Sequence, residues 1–190
     1  LIVPDIRGHG TSQPPDQFRI LDCAKDMYDL LTYLKIDKAH IVGVSMGGMI
    51  AQQFTLDHPH KVLSQTLVDS LSGALKPIEK FNAWMAAFIL KFLSPRIQAN
   101  MIRNTYRKMH HRNVGKYFED QIMLMDSDWL LDARLEVNRF NVHERLHEIH
   151  TPTLVLVGDG FGKLAIEMAK ATADGIQNSE FQILAGGGDP

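Results

Sequence analysis

The chain has 190 residues, of which 45% are hydrophobic and 22% charged, ordinary globular composition with enough apolar residues for one domain with a real core. Its formal net charge of -2 gives no electrostatic case for nucleic acid or an anionic membrane, and no run of about eighteen apolar residues is present to insert across a bilayer. The single cysteine, Cys23, excludes an internal disulfide and fits a reducing, cytoplasmic compartment.

In chain order, Leu1 to Pro4 reads as a buried strand. The chain opens inside this run, on Leu rather than Met, and so reads as a fragment. Asp5 to Asp16 is a loop rich in Gly, Pro, Ser and Asp. Asp22 to Leu34 places Ala24, Met27, Leu30, Leu31 and Leu34 at helical spacing. Ala39 to Val44 is an apolar strand without polar alternation, as expected of a parallel strand covered on both faces. Gly43 to Gly48 is a tight turn, and Met49 to Leu56 a helix that ends at Asp57-His58-Pro59 because proline cannot continue it. Val62 to Val68 is a third strand, followed by Asp69-Ser70.

The pattern then changes. From Leu71 to about Ile149 it predicts helices only, with apolar faces drawn from Trp84, Phe88, Phe92, Met101, Tyr106, Met109, Phe118, Met123, Met125 and Trp129. Alternation resumes with a strand at Thr153 to Val157, a helix at about Leu164 to Asp174 and a strand at Glu180 to Leu184. Gly186-Gly187-Gly188 follows. Strands alternating with helices predict a parallel sheet, here interrupted by a helical insertion.

The most informative motif is Gly43-Val44-Ser45-Met46-Gly47-Gly48. It stands after a buried strand and before a helix, where a serine is held at the tip of a strained turn. A serine hydroxyl attacks a carbonyl only when a base takes its proton. The helix behind Ser45 favours developing negative charge, and the Met46 backbone N–H is half of an oxyanion hole. Gly43 and Gly47 are expected to leave room for packing around the turn. The bland alternative is a Gly/Ser turn with no chemistry.

With Val3-Pro4-Asp5-Ile6-Arg7-Gly8-His9-Gly10-Thr11-Ser12 before it and Ile149 to Asp159 after the helical stretch, this motif resembles the α/β-hydrolase superfamily. The resemblance is to its cap-bearing esterases, enol-lactonases and C–C bond hydrolases. It implies an α/β fold: a mainly parallel α/β-hydrolase sheet, incomplete at both termini, with an inserted helical cap. The divisions are 1–70 and 149–190 for the core and 71–148 for the cap. It also implies a serine hydrolase of a small, fairly apolar ester, lactone or related carbonyl substrate, with Ser45 as nucleophile. That chemistry needs no metal or organic cofactor, and no nucleic-acid partner is expected.

The pattern departs from the family in two places. The acid position after the post-cap strand holds Phe161, with Asp159 two residues earlier. The histidine position after the last strand holds Asp189. Some members carry the acid at the end of the strand after the nucleophile helix, and Asp69 stands there. A strand-end aspartate also serves simply as a cap. These departures keep open a non-catalytic relative that binds a small ligand or partner, and an inactive piece of a working hydrolase.

Among nine histidines, His9 is expected to shape its loop, and His58 and His60 to sit at a helix C-terminus. His110 and His111 fall in a basic stretch. His143, His147 and His150 have the spacing of a metal-binding face, but the run leads into Thr151-Pro152, where a helix ends. The Met- and aromatic-rich insertion lines an apolar pocket or forms its own core.

Overall fold

A computed structural model describes residues 1–73, 77–108, 112–124 and 127–187. Met109, His110, His111, Met125, Gly188 and Asp189 therefore lie outside the described residues. The elements are α1 (Ile20–Tyr33), β1 (Ala39–Val44), α2 (Met46–Asp57), β2 (Val62–Val68), α3 (Pro77–Lys91), α4 (Pro95–Lys108), α5 (Arg112–Leu124), α6 (Ser127–Arg139), β3 (Thr153–Gly158), α7 (Lys163–Gly175) and β4 (Ser179–Leu184). Two compact units are distinguished. One holds the described residues of Leu1–Phe18 and Lys76–Asn138, the other those of Arg19–Leu75 and Arg139–Gly188.

The second unit is built on a four-stranded sheet in the order β1-β2-β3-β4, with every neighbouring pair parallel. Parallel strands need crossover connections, and α2 and α7 supply two of them, α2 between β1 and β2 and α7 between β3 and β4. Ala24 and Leu31 of α1, Phe54 of α2 and Val62 of β2 form one buried cluster. Leu67 and Val155, at the centre of the sheet, are fully buried and register-paired. Burial of this kind stabilises by roughly 1.5–3 kcal/mol per large aliphatic side chain. Some of the polar groups buried here are paired across elements. Thr55 Oγ1 donates to Gln65 Oε1 at 3.0 Å, and Gln65 Nε2 donates to Thr153 Oγ1 at 3.0 Å, tying α2, β2 and β3 together.

Helix α1 starts two residues before the expected Asp22, and its far end is a Schellman closure. Ile36 N–H reaches Leu31 O at 2.8 Å and Lys35 N–H reaches Thr32 O at 3.0 Å, with Lys35 at φ 57. Helix α2 likewise starts at Met46 rather than Met49, so Gly47 and Gly48 lie in its first turn.

Two expectations are corrected. The odd residues of β1 face the covered side, but Val42 and Val44 are 69% and 46% exposed, so this strand is not covered on both faces. Continuous apolar sequence does not distinguish a doubly covered strand from an edge strand with one open face. Leu1 to Pro4 is not a buried strand: the run is exposed and has no ladder partner among the described residues. An extended run becomes a strand only against another backbone.

In the first unit the loop after this run folds on itself. Asp5 Oδ2 accepts from Thr11 N–H at 3.0 Å and Thr11 Oγ1 at 3.1 Å, and Asp5 O accepts from Ser12 Oγ at 2.8 Å. Gly8 has φ +75, and a Cβ there would stand 2.2 Å from the Trp129 ring; Gly10 has φ +53 against the Asp5 carboxylate. The loop motif is thus explained by local closure and by the seating of Trp129. The first unit also contains α3 to α5 and most of α6, with α4 and α5 held by Arg103 Nη1 and Glu119 Oε1 at 3.1 Å.

Candidate active site

Ser45 joins β1 to α2 with φ 51 and ψ -117, a conformation costly for any residue with a Cβ. The turn is held from both sides. Ser45 N–H donates to Val68 O at 2.8 Å, while Ser45 O accepts from Gly48 N–H at 2.9 Å and Met49 N–H at 3.3 Å. The N–H groups of Met46 and Gly47 precede these first helical bonds and have no helical acceptor. Ser45 is exposed, and among the described residues nothing hydrogen-bonds its hydroxyl.

The glycines divide the work differently from expectation. A Cβ at Gly43 would stand 2.3 Å from Gly47 O, and one at Gly48 would stand 2.4 Å from Ser70 Cβ. At Gly47 an added Cβ meets nothing within 4 Å. The tight approaches are therefore at Gly43 and Gly48, and Gly47 faces open space. The need for Gly48 was not legible, because it depends on Ser70, twenty-two positions on. Ser70 is buried, and its Oγ has no hydrogen-bond partner among the described residues.

Asp69 follows β2 with φ 48, a second strained position next to the first, since Val44 and Val68 are register partners. Its N–H donates to Leu156 O at 2.9 Å, and its Oδ1 accepts from Gly158 N–H at 2.8 Å. The carboxylate is thereby fixed between the ends of β2 and β3, with Oδ2 left without a protein donor among the described residues. Asp159 is exposed in the 3-10 turn Asp159–Phe161, and its Oδ2 accepts from Gly186 N–H at 3.2 Å. That contact ties it to the turn after β4. Phe161 and Asp69 both line a cavity of about 100 Å³ with Ser70, Leu71, Val157 and Met168.

Four of the described histidines have structural partners. His9 Nδ1 lies 3.3 Å from Arg7 O, its ring packs 4.8 Å from Trp129, and burial holds its pKa below the usual value. His58 stacks on Tyr28 at 4.2 Å, and burial lowers its pKa too. His40 Nδ1 lies 2.7 Å from Ser64 Oγ. His143 Nδ1 lies 3.2 Å from Ser72 Oγ, which is 3.1 Å from Thr172 Oγ1. His143–Glu148 is a 3-10 turn with His150 beyond it, and no cluster of three metal-ligating side chains is present among the described residues.

A strand–serine–helix turn at the carboxyl edge of a parallel sheet, with an aspartate at the next strand end, is specific enough to compare with known proteins. The profile of the alpha/beta hydrolase fold family matches residues 1–188. The chain belongs to this family. Poly(3-hydroxyalkanoate) depolymerase of Ectopseudomonas oleovorans is 30% identical over 97% of the chain and 66% of its own length. 3-oxoadipate enol-lactonase 1 of Acinetobacter baylyi is 24% identical over 97% of the chain and 70% of its own length. Among solved structures, a hydrolase from Pseudomonas aeruginosa PA01 superposes with TM-score 0.81 at 22% identity, covering 94% of this chain and 69% of that one. A thermophilic esterase from Thermogutta terrifontis gives TM-score 0.77 at 26% identity, covering 96% and 70%. The chain thus spans about two thirds of the length of the curated relatives it matches.

Proposed function

We propose that this chain is a serine hydrolase acting on a small, fairly apolar ester, lactone or related carbonyl compound through an acyl-enzyme on Ser45. The observation that carries this is the positive φ of Ser45 at the tip of the β1–α2 turn. Nothing in turn chemistry asks for serine there, since glycine adopts that conformation at lower cost. In the proposed reaction Ser45 Oγ bonds to the carbonyl carbon, its proton passes to a base, and the Met46 N–H receives the developing oxyanion. The leaving oxygen or nitrogen takes the proton, and water then releases the acyl group.

We assign the acid to Asp69 in preference to Asp159. Asp69 neighbours the serine through the sheet register and keeps one carboxylate oxygen available, whereas Asp159 is engaged by the β4 turn. No described residue hydrogen-bonds the Ser45 hydroxyl as a base, and the position where the resemblance expects the histidine holds Asp189, which lies outside the described residues. We read 71–148 as a helical cap inserted between core segments 1–70 and 149–190, and the protein as cytoplasmic. The relatives, a poly(3-hydroxyalkanoate) depolymerase and a 3-oxoadipate enol-lactonase by name, support this reading.

A second reading, a non-catalytic relative that binds a small ligand, is favoured by Phe161 at the acid position and in the wall of the Asp69 cavity. Hydrolysis of p-nitrophenyl butyrate separates the two. The first reading expects turnover that falls about 10³-fold or more in Ser45→Ala and clearly in Asp69→Asn, with Asp159→Asn near wild type. Turnover unchanged by Ser45→Ala contradicts it, and binding of the ester without turnover selects the second.

A further inference from the structure

The net charge of -2 hides a segregation. From Lys80 to Phe118 the sequence contains no Asp or Glu, while it holds eight Lys and Arg, a formal +8. The stretch covers α3 from Lys80 onward, all of α4 and the first half of α5; Glu79 precedes it and Glu119 and Asp120 follow it, the last two pairing with Arg103 and Lys116.

Along α3 and the turn after it, Phe81, Trp84, Phe88 and Phe92 recur at spacings of three and four, which puts them on one helix face. Their rings touch in sequence, with centroids 6.5, 5.6 and 5.2 Å apart. They are nevertheless 54%, 50%, 46% and 71% exposed, and Ile89 on α3 and Ile97 on α4 are exposed too. Single exposed apolar residues are ordinary, but a continuous aromatic ladder is a surface that water covers at a cost. Arg96, at the start of α4 and four residues after Phe92, is exposed.

We propose that the α3–α4 face docks on an anionic lipid bilayer surface. Aromatic rings with aliphatic neighbours, set in a cationic segment, match the headgroup boundary of such a membrane. No described helix is long and apolar enough to cross, so the mode is interfacial. A second copy of the chain is the poorer occupant, because it brings the same cationic stretch against itself. A single-stranded nucleic acid is poorer too, because the rings contact one another and leave no slot between them for a base. This inference is independent of the chemistry at Ser45.

The test is co-sedimentation of the 190-residue chain with vesicles of phosphatidylcholine alone or mixed equally with phosphatidylglycerol. Partition is expected to be at least about tenfold stronger on the anionic vesicles and to vanish at about 0.5 M salt. Phe88→Asp with Ile89→Asp abolishes it, Arg96→Glu weakens it several-fold, and Lys163→Glu with Lys170→Glu on α7 leaves it unchanged. Trp84 emission shifts to the blue on binding, and Trp84→Phe removes the shift while keeping the partition, since Trp129 is only 6% exposed. Equal binding to both vesicle types overturns the proposal. So does absence of binding by a chain that melts cooperatively. A dimer dispersed by Phe88→Asp, or binding to an oligonucleotide in place of vesicles, overturns it in favour of the other occupants.

Discussion

The core of the sheet unit and the α3 ladder of the helical unit use the same kinds of apolar residue to opposite ends. In the sheet unit Leu67, Val155 and Phe54 are 0–1% exposed, and the turns are fixed by backbone contacts. In the helical unit the aromatic ladder of α3 is about half exposed. Among the described residues, the non-glycine residues with positive φ, Lys35, Ser45 and Asp69, all lie in the sheet unit. Strain is tolerated where packing over-determines the chain, and two of these three residues are the proposed nucleophile and acid.

The sharpest break of this comparison is at the elbow. Gly43→Ala forces a Cβ onto the backbone of Gly47 and is expected to cost more than ~3 kcal/mol in urea unfolding, whereas Gly47→Ala stays within ~1 kcal/mol of wild type. Next in size, Leu67→Ala is expected to cost ~2–5 kcal/mol and Phe88→Ala less than ~0.5 kcal/mol by the same measurement. Equal costs would mean that the ladder is packed after all.

Smaller effects sharpen the role of strain. Lys35→Gly and Ser45→Gly should each raise stability by about 1 kcal/mol, because glycine relieves positive φ. Only the second should abolish chemistry. If Ser45→Gly is destabilising, the elbow is not strained and the argument for its purpose fails.

The smallest effect is on pH. His58, in the sheet unit, and His9, in the helical unit, both have pKa values depressed by burial, so folding favours their neutral forms. Their contribution is present above the ordinary histidine pKa of about 6.5 and is lost as pH falls through the lower folded values. Thermal melts should therefore weaken below about pH 6.5, and His58→Gln or His9→Gln should each flatten that slope.

The parts of the fold that follow from local pattern were legible. Strands β1 and β2 fall where apolar runs end at Asp37-Lys38 and Pro59, and the elbow at Ser45 follows from glycine, serine and the strand–helix context. What was not legible depends on partners remote in sequence. That Gly48 rather than Gly47 carries the close approach depends on Ser70. The positive φ of Asp69 depends on its bonds to Leu156 and Gly158. The open face of β1 has the same residues as a covered one. The helical region was legible only as helices, since amphipathic spacing is the same for a packed face and an exposed one. The basic stretch from Lys80 to Phe118 was in plain view, but a whole-chain sum cancels it against acids elsewhere.

Whether Ser45 is an activated nucleophile is tested most directly by labelling the folded chain with a fluorophosphonate probe, read by intact mass. One adduct on Ser45 is expected, lost in Ser45→Ala and retained in Lys35→Gly. A cooperatively folded chain that labels no more than Ser45→Ala would contradict that assignment.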